Sequence, residues 1–221
     1  MRQKIGKKVL IYSFILVLFG TFNNQKLSGL NYFELKDIII ESSENSIFSD
    51  ILDKTSDLKK SNIFLISKEN IKEIIENNSL VENYSVIKNY PSTIKIKIIK
   101  TKFLSRLNID GKIFLVGTNG KLTKDFIHNN DLPFIFGNPT INQILDFNNT
   151  IKNSKFNFYE FSNLFYYKSG RWDLETKDGV IIKLPNENLL KKLKEIFDII
   201  SNINFTDKKI IDVRVNNQII F

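Results

Sequence analysis

The residues that decide the fold are Val81-Glu-Asn-Tyr-Ser-Val-Ile-Lys-Asn-Tyr-Pro-Ser-Thr-Ile-Lys-Ile-Lys-Ile-Ile-Lys100. Their first part, up to Asn89, follows an extended pattern. Tyr90-Pro91-Ser92 is a turn signal, because proline presets φ and disfavours helix at the residue before it. From Thr93 onward isoleucine and lysine alternate, which is typical of a strand with one buried face. The stretch therefore predicts two strands joined by a turn.

Upstream of this stretch, the sequence predicts one strand and two helices. Phe33–Glu41 contains successive isoleucines and favours a strand. Two groups of apolar residues then recur at the spacing of a helix face, and Ser67 is placed to cap the second helix. The first group is Ile47, Ile51, Leu52 and Leu58, and the second is Ile71, Ile74 and Ile75. The predicted order is strand, helix, helix, strand, strand.

Downstream of Lys102, turn signals separate short extended runs. Asp110-Gly111 and Asn119-Gly120 each lie between two such runs, and Asp-Gly and Asn-Gly are strong hairpin signals. Three further extended runs lie between Phe156 and Leu184, and Asp178-Gly179 joins the last two. This region therefore predicts a mostly antiparallel sheet.

Two predicted helices interrupt these strands. Thr140 caps the first, which ends at Ile151, and Asn186 caps the second, which ends near Asn202. The second helix carries an apolar stripe formed by Leu189, Leu190, Leu193, Ile196, Phe197 and Ile200. The combination of helices with separate strand-rich regions predicts an α+β fold.

The N-terminus carries a basic cluster followed by an apolar run from Val9 to Phe22, and then by polar residues. The cluster consists of Arg2, Lys4, Lys7 and Lys8. This order fits a signal peptide or an uncleaved membrane anchor. A cleaved signal peptide needs small residues at its cleavage site, which are missing here, and a buried core helix would not carry the basic cluster. We therefore predict an anchor, although the run is short for a hydrocarbon core of roughly 30 Å.

Composition excludes several classes of function. Hydrophobic residues make up 42% of the 221 residues, so a packed core is expected. The net charge of +8 comes from lysines spread along the chain, which favours a solvated face over nucleic-acid binding. Cysteine is absent, so the chain forms no disulfide and no cysteine-ligated metal site.

No residue pattern points to catalysis. His128 is the single histidine and lies in a polar loop. The segment Gly117–Lys121 lacks the four-residue spacing and the following Ser or Thr of a phosphate-binding loop, so it favours a hairpin turn. The carboxylates Asp173, Asp178 and Asp212 fall on different predicted elements. We predict a protein that is not an enzyme and that uses no cofactor and no metal.

The end of the chain stands out for a different reason. Two predicted strands, Ile210–Val215 and Gln218–Phe221, are joined at Asn216-Asn217. The last strand carries neither the charge nor the proline that usually protects a sheet edge. Such a strand is either covered by the fold or kept for a partner that adds a strand of its own, and the residues alone leave both alternatives open.

Several segments, in this order and spacing, resemble the FtsQ/DivIB family of bacterial cell-division proteins. The strand-turn-strand segment Leu80–Ile98 resembles the end of the family's POTRA domain. The segments Leu132-Pro-x-Ile-x-Gly137, Arg171-Trp-Asp-Leu-Glu-Thr-Lys-Asp-Gly-Val-Ile-Ile-Lys-Leu-Pro185 and Ile211-Asp-Val-Arg214 resemble motifs of the domain that follows it. The chain departs from the family at Leu80, after Lys102 and at Ser169, where members often carry tryptophan, proline and a basic residue.

The resemblance implies a domain organisation. Residues 1–8 are expected to form a cytoplasmic tail, 9–22 a transmembrane anchor, 23–32 a linker, 33–101 a POTRA domain (β-α-α-β-β) and 102–221 a β domain with two helices. It also implies a single-pass type II protein of the inner membrane, located at the division septum, with its bulk in the periplasm.

The implied function is that of a divisome scaffold. Such a protein binds FtsB-like and FtsL-like partners and helps to control septal peptidoglycan synthesis. The expected partner-binding residues are Arg214, Val215, Asn216, Asn217, Ile219, Ile220 and Phe221. The family-motif residues Arg171, Trp172, Asp173, Leu174 and Gly179 are expected to be structural.

Two other functions compete with this interpretation. A POTRA-bearing component of outer-membrane assembly or secretion would share the first domain, although such proteins usually carry several POTRA units. A periplasmic hydrolase would need a paired acid and base, for which the sequence gives no signal.

Overall fold

The computed structural model describes residues 6–22, 33–42, 45–124, 131–202, 210–215 and 218–220. Its helices are α1 (Lys7–Phe22), α2 (Asn45–Thr55), α3 (Lys68–Glu76), α4 (Ile141–Asn153) and α5 (Leu189–Asn202). The strands of the first half are β1 (Asp37–Glu41), β2 (Val81–Asn89) and β3 (Thr93–Lys100). Those of the second half are β4 (Phe103–Ile109), β5 (Lys112–Gly117), β6 (Leu122–Lys124), β7 (Phe134–Phe136), β8 (Phe161–Tyr166), β9 (Trp172–Thr176), β10 (Ile181–Lys183) and β11 (Ile210–Asp212).

The chain divides into two compact units. The first consists of Met1–Glu41, Phe48–Ile75 and Ser85–Lys97, and the second of Ser42–Ile47, Glu76–Tyr84 and Ile98–Phe221. The domain boundaries expected at residues 33–101 and 102–221 stay a prediction.

Helix α1 forms where the apolar run predicts one. Its side chains are exposed from Lys7 to Gly20. Among the described residues, none of the helices has both the length and the hydropathy that a membrane crossing requires. The transmembrane anchor expected at residues 9–22 is therefore not confirmed.

The first half of the chain follows the predicted order of strand, helix, helix, strand, strand. Its three-stranded sheet has the order β1-β3-β2, and β1 runs parallel to β3 with Ile38 opposite Ile94. The bounds of β2 and β3 agree with the prediction, but β1 is shorter than the predicted Phe33–Glu41. The reason is that the main-chain groups of Phe33 and Leu35 form hydrogen bonds with residues 60–63 instead of with the sheet.

The first unit has its own apolar core. Its buried residues come from both helices and from the faces of β1 and β3 turned toward them, and they include Leu35, Ile40, Ile51, Ile63, Ile66, Ile71, Ile75, Ile94 and Ile96. Ser67 caps α3 as predicted, because its hydroxyl oxygen accepts a hydrogen bond from the amide of Asn70 at 3.1 Å.

The second unit contains an eight-stranded mixed sheet with the order β11-β10-β9-β8-β7-β4-β5-β6. Four neighbouring pairs are antiparallel, as the hairpin signals predict. Three pairs are parallel: β4 with β7, β7 with β8, and β10 with β11. The sheet is therefore less antiparallel than the sequence indicates. The chain crosses over through α4 between β7 and β8 and through α5 between β10 and β11, and helical crossovers of this kind connect parallel strands.

One face of this sheet is covered by the two helices. Six strands place an apolar residue in the same row: Leu107, Ile135, Leu164, Leu174, Ile182 and Ile211. These residues share one core with Ile144 and Phe147 of α4 and with Leu193 and Ile196 of α5. The opposite face of the same strands carries the charged residues of the candidate site.

The helix ends show one prediction confirmed and one wrong. Thr140 caps α4, since its hydroxyl oxygen accepts the amide of Gln143 at 3.3 Å and the Gln143 side chain accepts the amide of Thr140 at 2.8 Å. Helix α5 begins at Leu189, so Asn186 does not cap it. The side-chain amide of Asn186 instead donates to the carbonyl oxygen of Ser169 at 2.9 Å.

Candidate functional site

The outermost strand of the mixed sheet at one edge is β11. It pairs in parallel with β10, with Ile181 opposite Ile210 and Lys183 opposite Asp212. Beyond it, Ile220 forms an antiparallel bridge with Asp212, in which the amide of each residue donates to the carbonyl of the other at 2.8 and 3.0 Å. The last described residues are therefore joined to this edge by a single bridge.

The predicted terminal strands are shorter in the structure. Strand β11 stops at Asp212 rather than Val215, and within residues 218–220 the second predicted strand is a single bridge. The carboxylate of Asp212 accepts the amide of Arg214 at 3.1 Å, which turns the backbone after the strand. A further hydrogen bond runs from the amide of Gln218 to the carbonyl of Val215, at 3.3 Å.

The two isoleucines of the terminal segment face opposite sides. Ile219 is half-buried and packs against the core of the second unit, whereas the side chain of Ile220 is 54% exposed. Because Ile220 directs its amide and carbonyl toward Asp212, the polar main-chain groups of Ile219 point away from β11. Within the described part of the chain, neither of these two groups has a hydrogen-bond partner. The segment thus presents an open main-chain donor and acceptor at the sheet edge.

An ion pair lies beside this open edge. The guanidinium of Arg214 donates from Nε to Oδ1 of Asp212 at 2.8 Å. The Asp212 side chain is 14% exposed, and the hydrogen bonds from Arg214 hold the pKa of its carboxyl below the ordinary value of 3.8. The same contact raises the pKa of Arg214, so both groups stay charged at neutral pH.

From Asp212, a row of charged side chains continues inward across the neighbouring strands of the sheet. Asp212 lies opposite Lys183 on β10, and Lys183 lies opposite Asp173 on β9. Asp173 is buried and accepts a hydrogen bond from Nε of Arg171 at 3.1 Å, while the Arg171 guanidinium packs over the ring of Tyr167. Charges of alternating sign therefore connect the family motif on β9 to the edge.

The remaining motif residues are placed as follows. Trp172 and Leu174 are buried in the core of the second unit, and Trp172 packs against Phe147 and Tyr166. Gly179 lies in the turn between β9 and β10 with a positive φ of 81°.

A shallow groove of about 450 Å³ adjoins Arg214. It is lined by Ser169, Arg171, Pro185, Asn186, Glu187, Asn188 and Arg214. Ser169 occupies the position at which the family often carries a basic residue, and here two arginines open onto the same groove.

Four of the seven predicted partner-binding residues are described, and the structure brings all four to this edge: Arg214, Val215, Ile219 and Ile220. Asn216, Asn217 and Phe221 lie outside the described residues, as does His128. Asp212 was considered only among the carboxylates that fall on different predicted elements, and Lys183 was not predicted to belong to this edge. The sequence feature that could have identified Asp212 is the Asp-x-Arg spacing at the end of a predicted strand. Lys183 could have been identified only from the strand register, which places it opposite Asp212.

No group of three or more histidine, cysteine, aspartate or glutamate residues among those described is arranged to hold a metal ion. The groups present at this edge offer main-chain hydrogen bonding, apolar contact through Ile220 and Val215, and charge pairing through the two arginines.

Two sequence families match the chain. The family described as Cell division protein FtsQ/DivIB, C-terminal matches residues 105–214, and the POTRA domain, FtsQ-type, matches residues 33–100. The chain belongs to the FtsQ/DivIB family. Its C-terminal match covers the motif on β9 and ends at Arg214, so the turn at Val215 and the bridge at Ile220 lie beyond it.

Individual relatives agree with the family. The cell division protein FtsQ of Rickettsia bellii (strain RML369-C) is 27% identical over 176 residues, which cover 74% of this chain and 62% of that protein. The cell division protein FtsQ of Rickettsia typhi (strain ATCC VR-144 / Wilmington) is 26% identical over 194 residues, which cover 84% of this chain and 71% of that protein. The chain thus spans less than two thirds of the length of the first of these relatives.

Among solved structures, the chain is similar to the major extracytoplasmic domain of the cell division protein DivIB from Geobacillus stearothermophilus. That likeness has a TM-score of 0.34 and 13% identity, and it covers 48% of this chain and 99% of the DivIB chain.

Proposed function

We propose that this FtsQ/DivIB-family protein is a non-enzymatic scaffold of the divisome that binds a partner strand at the edge formed by β11 and residues 218–220. The observation that carries the proposal is the open amide and carbonyl of Ile219 at that edge. The partners are FtsB-like and FtsL-like division proteins.

Strand addition is the interaction that this geometry supports best. An extended segment that pairs with an open edge gains main-chain hydrogen bonds, and the alternating side chains give specificity. Ile220 and Val215, which are 54% and 49% exposed, supply apolar contact area for such a segment. Arg214 and Arg171, which open onto the adjoining groove, supply donors for acidic side chains of the partner.

The anchor is part of the same proposal. Helix α1 is mainly apolar after Lys8, and its large apolar side chains from Val9 to Phe19 are between 40% and 74% exposed. A bilayer would cover this surface. Sixteen residues at about 1.5 Å each span about 24 Å, so Lys7 and Lys8 would have to extend their side chains toward the headgroups. Basic residues that precede the helix favour a cytoplasmic N-terminus and a periplasmic bulk.

The scaffold would act by recruitment. A protein that holds its partners at the septum influences septal peptidoglycan synthesis through the enzymes that those partners contact. Its position would be the inner membrane at the division site, as a single-pass type II protein. The proposal assigns no catalytic residue to the chain.

Co-purification tests the partner edge. We expect a full-length chain to retain its FtsB-like partner after affinity purification, and a chain that ends at Asn217 to lose it. The matched control is Ile99→Ser, which removes an exposed apolar side chain from β3 and leaves the terminal segment intact.

Circular dichroism must show that the shortened chain is folded. A folded chain that lacks residues 218–221 and still retains the partner at full strength would show that the edge is assigned to the wrong residues.

A further inference from the structure

An exposed aromatic cluster lies in the first unit, outside the site described above. The rings of Phe33 and Phe64 meet edge to face with centroids 4.9 Å apart. The ring of Phe64 stacks on that of Tyr90 at 4.7 Å. Leu65 follows Phe64 and is 82% exposed. We call these four residues the aromatic surface.

The aromatic surface is apolar and open to solvent. Phe33, Phe64 and Tyr90 keep 43%, 55% and 56% of their area exposed even though their rings contact one another. Water-exposed apolar groups that cluster in this way usually mark a surface that another partner covers.

The backbone beneath this surface is held in place. The amide of Ile63 donates to the carbonyl of Phe33 at 2.8 Å, and the amide of Phe64 donates to the side-chain oxygen of Asn62 at 3.0 Å. The ammonium group of Lys88 donates to the carbonyl of Ile63 at 2.9 Å and to that of Ile66. The aromatic rings therefore project from a fixed support.

The chain itself limits what can cover this surface. Phe33 follows Phe22, the last residue of α1, by eleven peptide steps of at most about 3.6 Å each. The aromatic surface therefore lies within about 40 Å of the end of α1. If α1 enters a bilayer, this short connection keeps the surface within reach of the headgroups.

The chemistry of the surface fits that layer. Aromatic side chains that combine an apolar ring with a polar edge concentrate where hydrocarbon meets water, and Tyr90 offers its hydroxyl for this purpose. The neighbouring segments 34–37 and 57–60 contribute three lysines and three acidic residues, so their charges balance. Docking would therefore depend on ring insertion and not on attraction to anionic lipids.

We propose that the aromatic surface docks the first unit on the headgroup region of the bilayer that α1 enters. The inference rests on the proposed membrane anchoring and adds a second contact with the same lipid surface. It gives the first unit a defined orientation against the membrane, with Phe64 and Leu65 facing the lipid.

Site-directed spin labelling tests this docking. Because the chain contains no cysteine, a single introduced cysteine is the only residue that reacts with the label. The full chain is placed in phosphatidylcholine vesicles with one label at a time, in the variants Leu65→Cys, Lys97→Cys and Leu16→Cys. The label at Leu65 probes the aromatic surface. Lys97 is the matched control in the same unit, because it lies opposite Glu41 at the other end of β3, about 13 Å from Thr93. The label at Leu16 reports on α1.

The measured quantity is the ratio of collision rates with oxygen, which enters lipid, and with a nickel chelate, which stays in water. We expect a ratio several-fold higher at Leu65 than at Lys97, and the highest ratio at Leu16. Equal ratios at Leu65 and Lys97, with a lipid-buried label at Leu16, would overturn the docking and leave the anchor standing. A water-exposed label at Leu16 would overturn the anchor, and the docking would fall with it.

A second variant tests the role of the aromatic rings. Phe64→Ser in the Leu65→Cys background should lower the ratio at Leu65 toward that at Lys97, because it removes the central ring of the stack. Raising the salt concentration should leave the ratio at Leu65 unchanged. If the ratio at Leu65 stays high in the Phe64→Ser variant, or falls when the salt concentration is raised, insertion of the rings is contradicted.

Discussion

Trp172 stacks on Phe147 with ring centroids 4.5 Å apart and ring planes 9° apart, and this contact joins β9 to α4 in the core of the second unit. Trp172 is 5% exposed and also contacts the ring of Tyr166. The stack therefore packs α4, the helix between β7 and β8, against β9, the strand that carries the family motif.

We expect Trp172→Ala to lower the free energy of unfolding by about 3–5 kcal/mol, because it opens a cavity in a packed core. Trp172→Phe, which keeps an aromatic ring on Phe147, should cost clearly less. Chemical denaturation followed by circular dichroism measures both, since the substitutions remove the single tryptophan of the chain. Equal losses for the two variants would show that an aromatic ring at position 172 does not stabilise the fold by contact with Phe147.

Gly137 approaches the neighbouring strand more closely than any side chain allows. It follows β7 with φ at +93°, and a Cβ atom there would lie 2.2 Å from the carbonyl oxygen of Tyr166 on β8. We expect Gly137→Ala to lower the free energy of unfolding by at least about 2 kcal/mol, because backbone strain adds to the overlap.

The matched control for Gly137 is Gly179→Ala. Gly179 has a similar φ of +81°, but no atom lies within 4 Å of its added Cβ. Thermal and chemical denaturation of the two variants measure how much stability each one loses. Both variants carry the strain of a positive φ, but only Gly137→Ala adds the overlap with the Tyr166 carbonyl oxygen. A loss at Gly137 no larger than that at Gly179 would contradict the close approach of β7 to β8.

The elements that local sequence defines were predicted well. Asp110-Gly111 forms its hairpin with positive φ at both residues, as the preferred two-residue turn requires. Thr140 caps α4, and the alternating isoleucines of β3 face the core. In each of these cases the residues that fix the conformation lie within three positions of one another.

The elements that depend on distant partners were not predicted. Alternation along a strand shows which face is buried, but not which strand is the neighbour, so the parallel pairing of β7 with β4 and β8 was missed. Asn186 has the residue type of a cap, but its side chain donates to Ser169, which precedes it by 17 positions. Part of the candidate edge was predicted, because an apolar terminal strand without charge or proline is a local signal. The pairing of Asp212 with Ile220 and with Arg214 needed the folded chain.

Acid should weaken the edge through Asp212. The hydrogen bonds from Arg214 hold the pKa of this carboxyl below 3.8 in the folded chain, so the unfolded chain binds a proton more readily. The contribution of the pair to stability is therefore fully present above the ordinary pKa and is lost as the pH falls through the lowered pKa of the folded state. We expect Asp212→Asn to be less stable than the parent chain at neutral pH, and the difference to shrink below about pH 4.

Denaturation of the parent chain and of Asp212→Asn across this pH range measures the effect. The control substitution is Asp178→Asn in the exposed turn between β9 and β10. A difference between the parent chain and Asp212→Asn that stays constant from neutral to acid pH would show that Arg214 does not stabilise the ionised carboxylate.

The open amide of Ile219 allows strand addition to be separated from side-chain contact. Ile219→Ala and Ile219→Pro both remove the packing of this side chain against the core, but only proline also removes the outward amide hydrogen. Neither change removes a hydrogen bond of the bridge, because the Asp212 amide and carbonyl pair with Ile220. We expect the alanine variant to bind the FtsB-like partner with modestly lower affinity and the proline variant to lose at least about fivefold more, since a lost hydrogen bond with an unsatisfied partner costs about 1–3 kcal/mol. Titration of the two purified variants against the partner gives the ratio directly. If both variants bind equally, the partner accepts no hydrogen bond from the Ile219 amide, and strand addition through this donor is contradicted.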